Sequence, residues 1–487
     1  MQLFLLFKYE NKSIMNIEVS IMLEKKIVEE VLQVCLTTGG DFAEVFEEHT
    51  HQSNIRMLNG VVEDINRGIV CGVGLRIYHG LESVYAYTND LTKDNLLDMA
   101  KQLAAAIHQE KRVECKALKE VQYENQHPIL ISPKTFDVEK KIAIMKRAND
   151  AAKAYDEAIE KVITNMLDVE QEVVVSNSEG RYIRDKRVRT RLSVNCIASS
   201  DGIMETGSCS PGASKGMEFY DEIDVEGVGK EAARIAITML HADDCPSGTM
   251  PVIIENGFGG VIFHEACGHA LEATCVSKDQ SVFCGKLGQK VASECVTAID
   301  DGTIPNAWGS CNIDDEGEFM QRKVLIEKGI LKSYLVDHIH GKRMGMASTG
   351  SSRRESYKYE AVSRMTNTFI DNGEDSFEDM LEGISFGLYA KSLGGGSVDP
   401  STGDFNFAVN EGYLIKDGKI DKPVKGATLI GNGAEVLMRI DKVGSNLKCA
   451  QGMCGASSGS IPTDVGQPAL RVSSMIVGGK DGGVQNG

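Results

Sequence analysis

The chain has 487 residues, a formal net charge of −18, 42% apolar and 25% charged residues. That length provides for two to four domains of roughly 100–200 residues each, with ample core, and the balance is that of an ordinary globular protein. The acidic excess argues against a nucleic-acid binder, because the densest basic stretch, "RDKRVRTR" at 184–191, alternates like the solvated face of a strand rather than forming a footprint.

The opening "MQLFLLFKYENKS" has too short an apolar run for a signal peptide or a membrane span, and it lacks a basic leader. Residues 1–21 are expected to be disordered or to precede the true start, at Met15 or Met22. No run of about 18 apolar residues follows anywhere, so no membrane association is expected. Thirteen cysteines, odd in number and irregularly spaced, suggest a reducing compartment, with most thiols serving as buried small hydrophobes. The expected location is the cytoplasm.

From residue 22 the pattern becomes regular. Leu23, Ile27, Val31 and Val34 fall on one face of a predicted helix that Gly39 and Gly40 stop. Alternating segments follow, two of them joined by Asn59-Gly60, a strong hairpin turn. A second helix spans 93–107, with Thr92 as its N-cap. The same order then recurs: a helix at 137–155, strand-like runs broken by a turn at Ser178-Glu179-Gly180, and a helix at 224–240. Two helix–strands–helix units, about 22–110 and 135–242, are therefore expected within an N-terminal α+β region at 22–242.

The turn-rich "HADDCPSGTMP" at 241–251 marks a boundary. Residues 243–487 carry many short strand-like runs punctuated by glycine, the signature of an antiparallel, barrel-like domain. The stretch "KSLGGGSVDPSTGD" at 391–404 is glycine-rich enough to need a reason, since glycine lets backbone approach a ligand closely.

Chemistry is concentrated in "VIFHEACGHALEATC" at 261–275. A catalytic zinc site takes three protein ligands from His, Cys and carboxylates and keeps a place for water. His264 and His269 would be two ligands, and Glu265 a base beside them. The spacing is five residues rather than four. On a regular α-helix, positions i and i+5 lie roughly 140° apart, against roughly 40° for i and i+4. The two imidazoles converge only if the helix carries a π-bulge or unwinds near Gly268. Candidates for the third ligand are Cys454 in a glycine-rich turn, His338 and His340 alternating as on a strand, and Glu272, which equally suits a supporting role. Spacing alone does not choose among them.

Several long motifs nevertheless resemble the TldD/PmbA family, the peptidases also known as modulators of DNA gyrase. They are "HEACGHALEA" (264–273), "SSRRESY" (351–357), "RMTNTFI" (364–370), "GLYAKSLGGGSVDPSTGDFNF" (387–407), "PVKGATLIGNG" (423–433) and "MCGASSGSIPTDVGQPALRV" (453–472). The likeness runs over roughly 25–485 and is to the catalytic TldD type. It implies an α+β N-terminal region and a C-terminal barrel-like metallopeptidase domain. By position it implies Zn2+ held by His264, His269 and Cys454, with Glu265 activating a zinc-bound water. It further implies cleavage of unfolded or short peptides, as in precursor maturation and removal of labile proteins. The implied assembly is a homodimer or a heterodimer with a PmbA/TldE-type subunit. Gly394, Gly395 and Gly396 are expected to border a substrate channel. The alternative is a non-catalytic peptide-binding subunit with structural metal or none.

Overall fold

The computed structural model describes residues 22–107, 113–399 and 402–480, so the expectation for 1–21 lies outside the described residues. The helix α1 (Lys25–Cys35) buries Val28, Val31, Leu32 and Cys35 on one face. Three antiparallel strands follow, β1 (Phe42–Leu58), β2 (Val61–His79) and β3 (Glu82–Thr88), and then α2 (Lys93–Ala104). The order repeats as α3 (Val138–Lys153), β4 (Ile159–Asn177), β5 (Arg181–Ser200), β6 (Ile203–Cys209) and α4 (Val225–Leu240). Asn59 and Gly60 both adopt positive φ, 46° and 79°, as a two-residue hairpin turn requires. Thr92 holds the cap position of α2, but its side chain does not cap the helix. Its own N–H donates to Asp90 instead.

The two repeats are not separate bodies. Strands β1 and β4 pair antiparallel from Glu44 opposite Asn177 to Leu58 opposite Ile163, which fuses both units into one eight-stranded sheet. On its outer face α1 and α2 cover Val45, Val73 and Leu75, while α3 and α4 cover Ile55, Met57 and Leu192. The inner face carries the second half of the chain. Phe46, Val173, Val175 and Ile183 pack there against Ile313 and Tyr357.

This packing corrects in part the reading of 184–191 as solvated, since Arg184 and Lys186 are exposed as expected. Arg187 and Arg189 are buried. Arg187 pairs with Asp185 (3.0 Å) and Asp315 (2.6 Å), and Arg189 donates to the carbonyl oxygens of Trp308 (2.8 Å) and Ser310 (3.3 Å). The segment 308–315 lies on β5 and supplies acceptors where solvent was expected. Glu44 joins the same layer between Arg76 (3.0 Å) and Arg354 (2.6 Å). Buried charges are tolerated only when so matched, since each costs several kcal/mol to desolvate.

The second half contributes β7 (Gly248–Ile254), β8 (Ala298–Asp301), β9 (Arg322–Glu327), β10 (Asn367–Ile370), β11 (Phe386–Val398), β12 (Asp404–Lys416), β13 (Thr428–Asn432), β14 (Lys448–Ala456), β15 (Gly459–Gln467) and β16 (Leu470–Gly478). Strands β7, β16, β13, β12 and β11 close into a five-stranded barrel. Its β7–β11 seam is parallel and the other four pairings are antiparallel. Val252, Leu388, Phe405, Phe407, Leu429 and Val472 belong to the core around it. A second sheet runs β9–β8–β10–β15–β14 and leaves β14 at its edge.

A further expectation changes. His338 and His340 sit on a short helix, His338–Met344, and not on a strand, because Asp337 caps its first turn and Gly345 ends it at φ 66°. Of the thirteen cysteines, all unpaired, six are buried, Cys115, Cys209 and Cys284 are partly buried against the cores, and Cys295 is exposed. Among the described residues, no helix is long and apolar enough to cross a membrane.

Candidate metal centre

The geometric difficulty of the five-residue spacing is met by one π turn. Residues Val261–Phe263 are α-helical, His264–Gly268 form the π turn, and His269–Leu271 continue as a 3₁₀ turn. The extra residue in the turn brings both imidazoles to the same side. Close approach explains the glycines flanking this helix. A Cβ on Gly260 would stand 2.4 Å from the Gly466 oxygen, and one on Gly268 would stand 2.2 Å from Met365 Sδ. The helix is thereby seated directly on β15, whose hairpin partner β14 carries Cys454.

Cys454 Sγ lies 3.2 Å from His264 Nε2 and 3.2 Å from His269 Nε2. The donor atoms of all three lie within 4.8 Å of one another. Bonds of about 2.3 Å to sulfur and 2.0–2.1 Å to nitrogen at a tetrahedral angle imply an N···S separation of about 3.5 Å. The donor types suit a zinc-like ion, and the two N···S separations match it to within a few tenths of an ångström. Glu265 reaches to 3.7 Å from His269 Nε2, with 32% of its side chain exposed, so it stands at the open side of the trio.

The surrounding groups hold two of the three side chains in place. Glu272 Oε1 lies 3.0 Å from His269 Nδ1. Arg364 is wholly buried and spans both elements that carry the candidate ligands. Its Nη1 donates to Ser458 Oγ (2.9 Å) and the Gly459 oxygen (3.1 Å), its Nη2 donates to the Cys454 oxygen, and its Nε is 3.9 Å from Glu272. Nothing in spacing or periodicity pointed to Arg364; its only sequence signal was the motif at 364–370. His264 Nδ1, in contrast, is buried without a hydrogen-bond partner.

Electrostatics favour a thiolate. Burial pushes the Cys454 thiol up, but the imidazoles of His264 and His269 outweigh it and bring it down to about 4. His269 is lowered by burial and raised more strongly by Glu272 and Cys454, so it ends well above its ordinary value. A cation would neutralise the same thiolate and disfavour the proton on His269, which is how metal binding couples to proton release.

The rival third ligands are engaged elsewhere. His340 Nδ1 is 2.7 Å from Asp337, and His338 stacks on Phe42 with ring centroids 4.8 Å apart. Gly394, Gly395 and Gly396 lie on β11, and they differ. A Cβ on Gly394 would meet Asn410 Oδ1 at 2.4 Å, and one on Gly396 would meet the Asn406 oxygen at 2.2 Å, whereas Gly395 faces open space. Packing against β12 thus accounts for two of the three.

Comparison with known proteins agrees with this arrangement. Residues 43–107, 131–240 and 247–479 match domain 1, the central domain and the C-terminal domain of the PmbA/TldA metallopeptidases. The chain is 37% identical over 464 residues to the metalloprotease TldD homolog of Haemophilus influenzae, covering 90% of this chain and 93% of that one. It is 29% identical over 306 residues to the zinc metalloprotease TldD homolog of Saccharolobus solfataricus, covering 62% and 68%. Among solved structures, TldE from Thermococcus kodakarensis has the same fold, with a TM-score of 0.74, 18% identity and coverage of 93% and 99%.

Proposed function

Because the chain belongs to the PmbA/TldA metallopeptidase family, we propose that it is a zinc-dependent peptidase acting on unfolded or short peptides. The supporting observation is the convergence of two imidazole nitrogens and one sulfur beside a partly exposed carboxylate. His264, His269 and Cys454 would hold the ion, and a thiolate with two imidazoles suits zinc better than a hard cation. The name of the Saccharolobus relative supports the same choice. Zinc supplies Lewis acidity, polarising a peptide carbonyl and lowering the pKa of water.

Glu265 serves as general base and then general acid. It takes a proton from the attacking water and delivers it to the leaving amine, and its half-open position gives it access to both. Glu272 holds the His269 ring, leaving Nε2 directed at Cys454. Peptide enters beside β11, where Gly395 leaves room for a second backbone. The chain works in the cytoplasm, as a homodimer or paired with a PmbA/TldE-type subunit, a reading the shared fold with TldE supports. Its organisation is an N-terminal region at 22–242 and a catalytic region at 243–487.

The test is metal content and cleavage of an unfolded polypeptide for the parent chain, Glu265→Gln and Cys454→Ser. Glu265→Gln is expected to keep its metal and lose about 10²–10⁴-fold in turnover, while Cys454→Ser loses the metal itself. Normal cleavage by Glu265→Gln would refute Glu265 as the base, and a parent chain without cleavage would leave a binding subunit as the better reading.

A further inference from the structure

A cavity of about 360 Å³ opens on the outer face of the N-terminal sheet, beside the start of α3. That volume falls in the range of about 300–1,000 Å³ usual for small-molecule sites. Three paired strands make its floor. Ile69 on β2, His51 on β1 and Glu170 on β4 form one rung, and Arg67, Ser53 and Asp168 form the next. Opposed residues share a face, as do residues two apart on one strand. Lys134, in the segment that joins the two repeats, and Lys141 on α3 stand at the wall.

The charges around this cavity do not cancel. Its two carboxylates are buried and already matched. Asp168 pairs with Lys141 (2.6 Å) and accepts from Thr190 (2.7 Å), and Glu170 pairs with Lys186 (2.7 Å) and accepts from Ser132 (2.5 Å). The cations Arg67 and Lys134 are exposed, and neither side chain has an ion pair or hydrogen bond among the described residues. Burial lowers the His51 imidazole and Lys134 lowers it further, so this ammonium acts on the same wall. A cleft lined by one unmatched sign of charge concentrates ions of the other.

Polar groups without partners lie beside these cations. The Ser53 hydroxyl, on the rung of Arg67, makes no hydrogen bond among the described residues. His51 Nε2 is buried without one, although most buried polar atoms are satisfied. Ile69, 64% exposed, and Pro133 supply apolar surface in the same cavity.

We propose that this cavity binds the carboxylate of a small ligand, with Arg67 and Lys134 as its counter-charges and the Ser53 hydroxyl as a hydrogen-bond donor. A guanidinium presents two parallel N–H donors to a carboxylate, and an ammonium adds a point charge. The apolar surface of Ile69 and Pro133 suits a ligand with a short hydrocarbon part. Two sources share this chemistry, the free C-terminus of a short peptide and a small dicarboxylate. Bound ligand would link β1 and β2 to the segment that joins the repeats. The site lies on the face of the sheet turned away from the second half of the chain, and its role is independent of the peptidase reading.

The full-length chain is titrated calorimetrically with N-acetyl-alanyl-leucine, with the C-terminal amide of that peptide and with succinate, and thermal melts are taken alongside. The parent is expected to bind at least one of the two acids with a dissociation constant of about 1 mM or less and to melt higher in its presence. The double variant Arg67→Gln/Lys134→Gln should bind that acid at least about tenfold more weakly, with the parent's melting temperature in the absence of ligand, since neither side chain is paired. Preference for the peptide acid assigns a peptide C-terminus, and preference for succinate assigns a dicarboxylate. A parent that binds neither acid would overturn the proposal, as would an amide that binds as tightly as the preferred acid. Unchanged affinity in the double variant would also overturn it, and is the result expected of a peptide held at the candidate metal centre instead.

Discussion

Gly260→Ala tests how the fold couples helix seating to metal affinity. The added Cβ would stand 2.4 Å from the Gly466 oxygen and 2.5 Å from its carbon and nitrogen. These are backbone atoms in a paired strand, so neither side yields by rotating a side chain. Relief to an ordinary contact of about 3.4 Å needs a displacement of roughly 1 Å. Gly466 pairs with Cys449 on the strand that carries Cys454, so the shift separates the histidines from the thiolate. Functional metal distances tolerate about 0.2 Å. Overpacking costs about 1–3 kcal/mol, and alanine returns up to about 1 kcal/mol as a helix former. Net destabilisation is therefore about 0–3 kcal/mol, and the chain still folds. Zinc affinity is expected to fall at least about tenfold, or about 1.4 kcal/mol. Competition against a chromophoric chelator, with a thermal melt alongside, separates the two effects. Affinity within about twofold of the parent would refute the reasoning that backbone contact sets the ligand geometry.

Glu272→Gln removes the carboxylate at His269 Nδ1 and should weaken metal binding about 10–100-fold in the same competition assay. Gly395→Val places a side chain in the open space beside β11 and should lower peptide turnover while leaving metal content unchanged; equal turnover would remove Gly395 from the channel. Glu47 carries a pH signature. Burial pushes its carboxyl up to about 7, so the folded state binds the proton more tightly than the unfolded one, and stability is lost as pH rises from about 4.3 through 7. Glu47→Gln should therefore gain on the parent by up to about 3 kcal/mol at pH 8 and by little at pH 4, read from paired denaturant melts.

The sequence carried the elements that depend on local pattern. The helix–strands–helix repeat, the Asn59-Gly60 turn and the barrel-like second half follow from periodicity and turn chemistry, and the five-residue spacing required, for two converging imidazoles, either a π-bulge or an unwound turn near Gly268, of which the structure has the π turn. Contacts between distant segments were not legible. Arg187 and Arg189 alternate as solvated residues do, and only the position of 308–315 shows that they are buried. The fusion of two sheets through β1 and β4 is a matter of register across more than a hundred residues. His338 and His340 alternate like strand residues, yet one capping aspartate turns that stretch into a helix. Choosing Cys454 over them needed family likeness first and the contact itself afterwards.

The order in which the candidate centre is synthesised has a biological consequence. Cys454 follows His264 by 190 residues, and β16, which completes the barrel, comes later still. At about 5–20 residues per second, ribosomes emit the last donor roughly 10–40 s after the first. A nascent chain therefore carries no competent centre while it is itself extended and cleavable. Under the proposed function, a third candidate ligand that follows the first two by so long a stretch delays activity until the chain's own substrate-like state has ended.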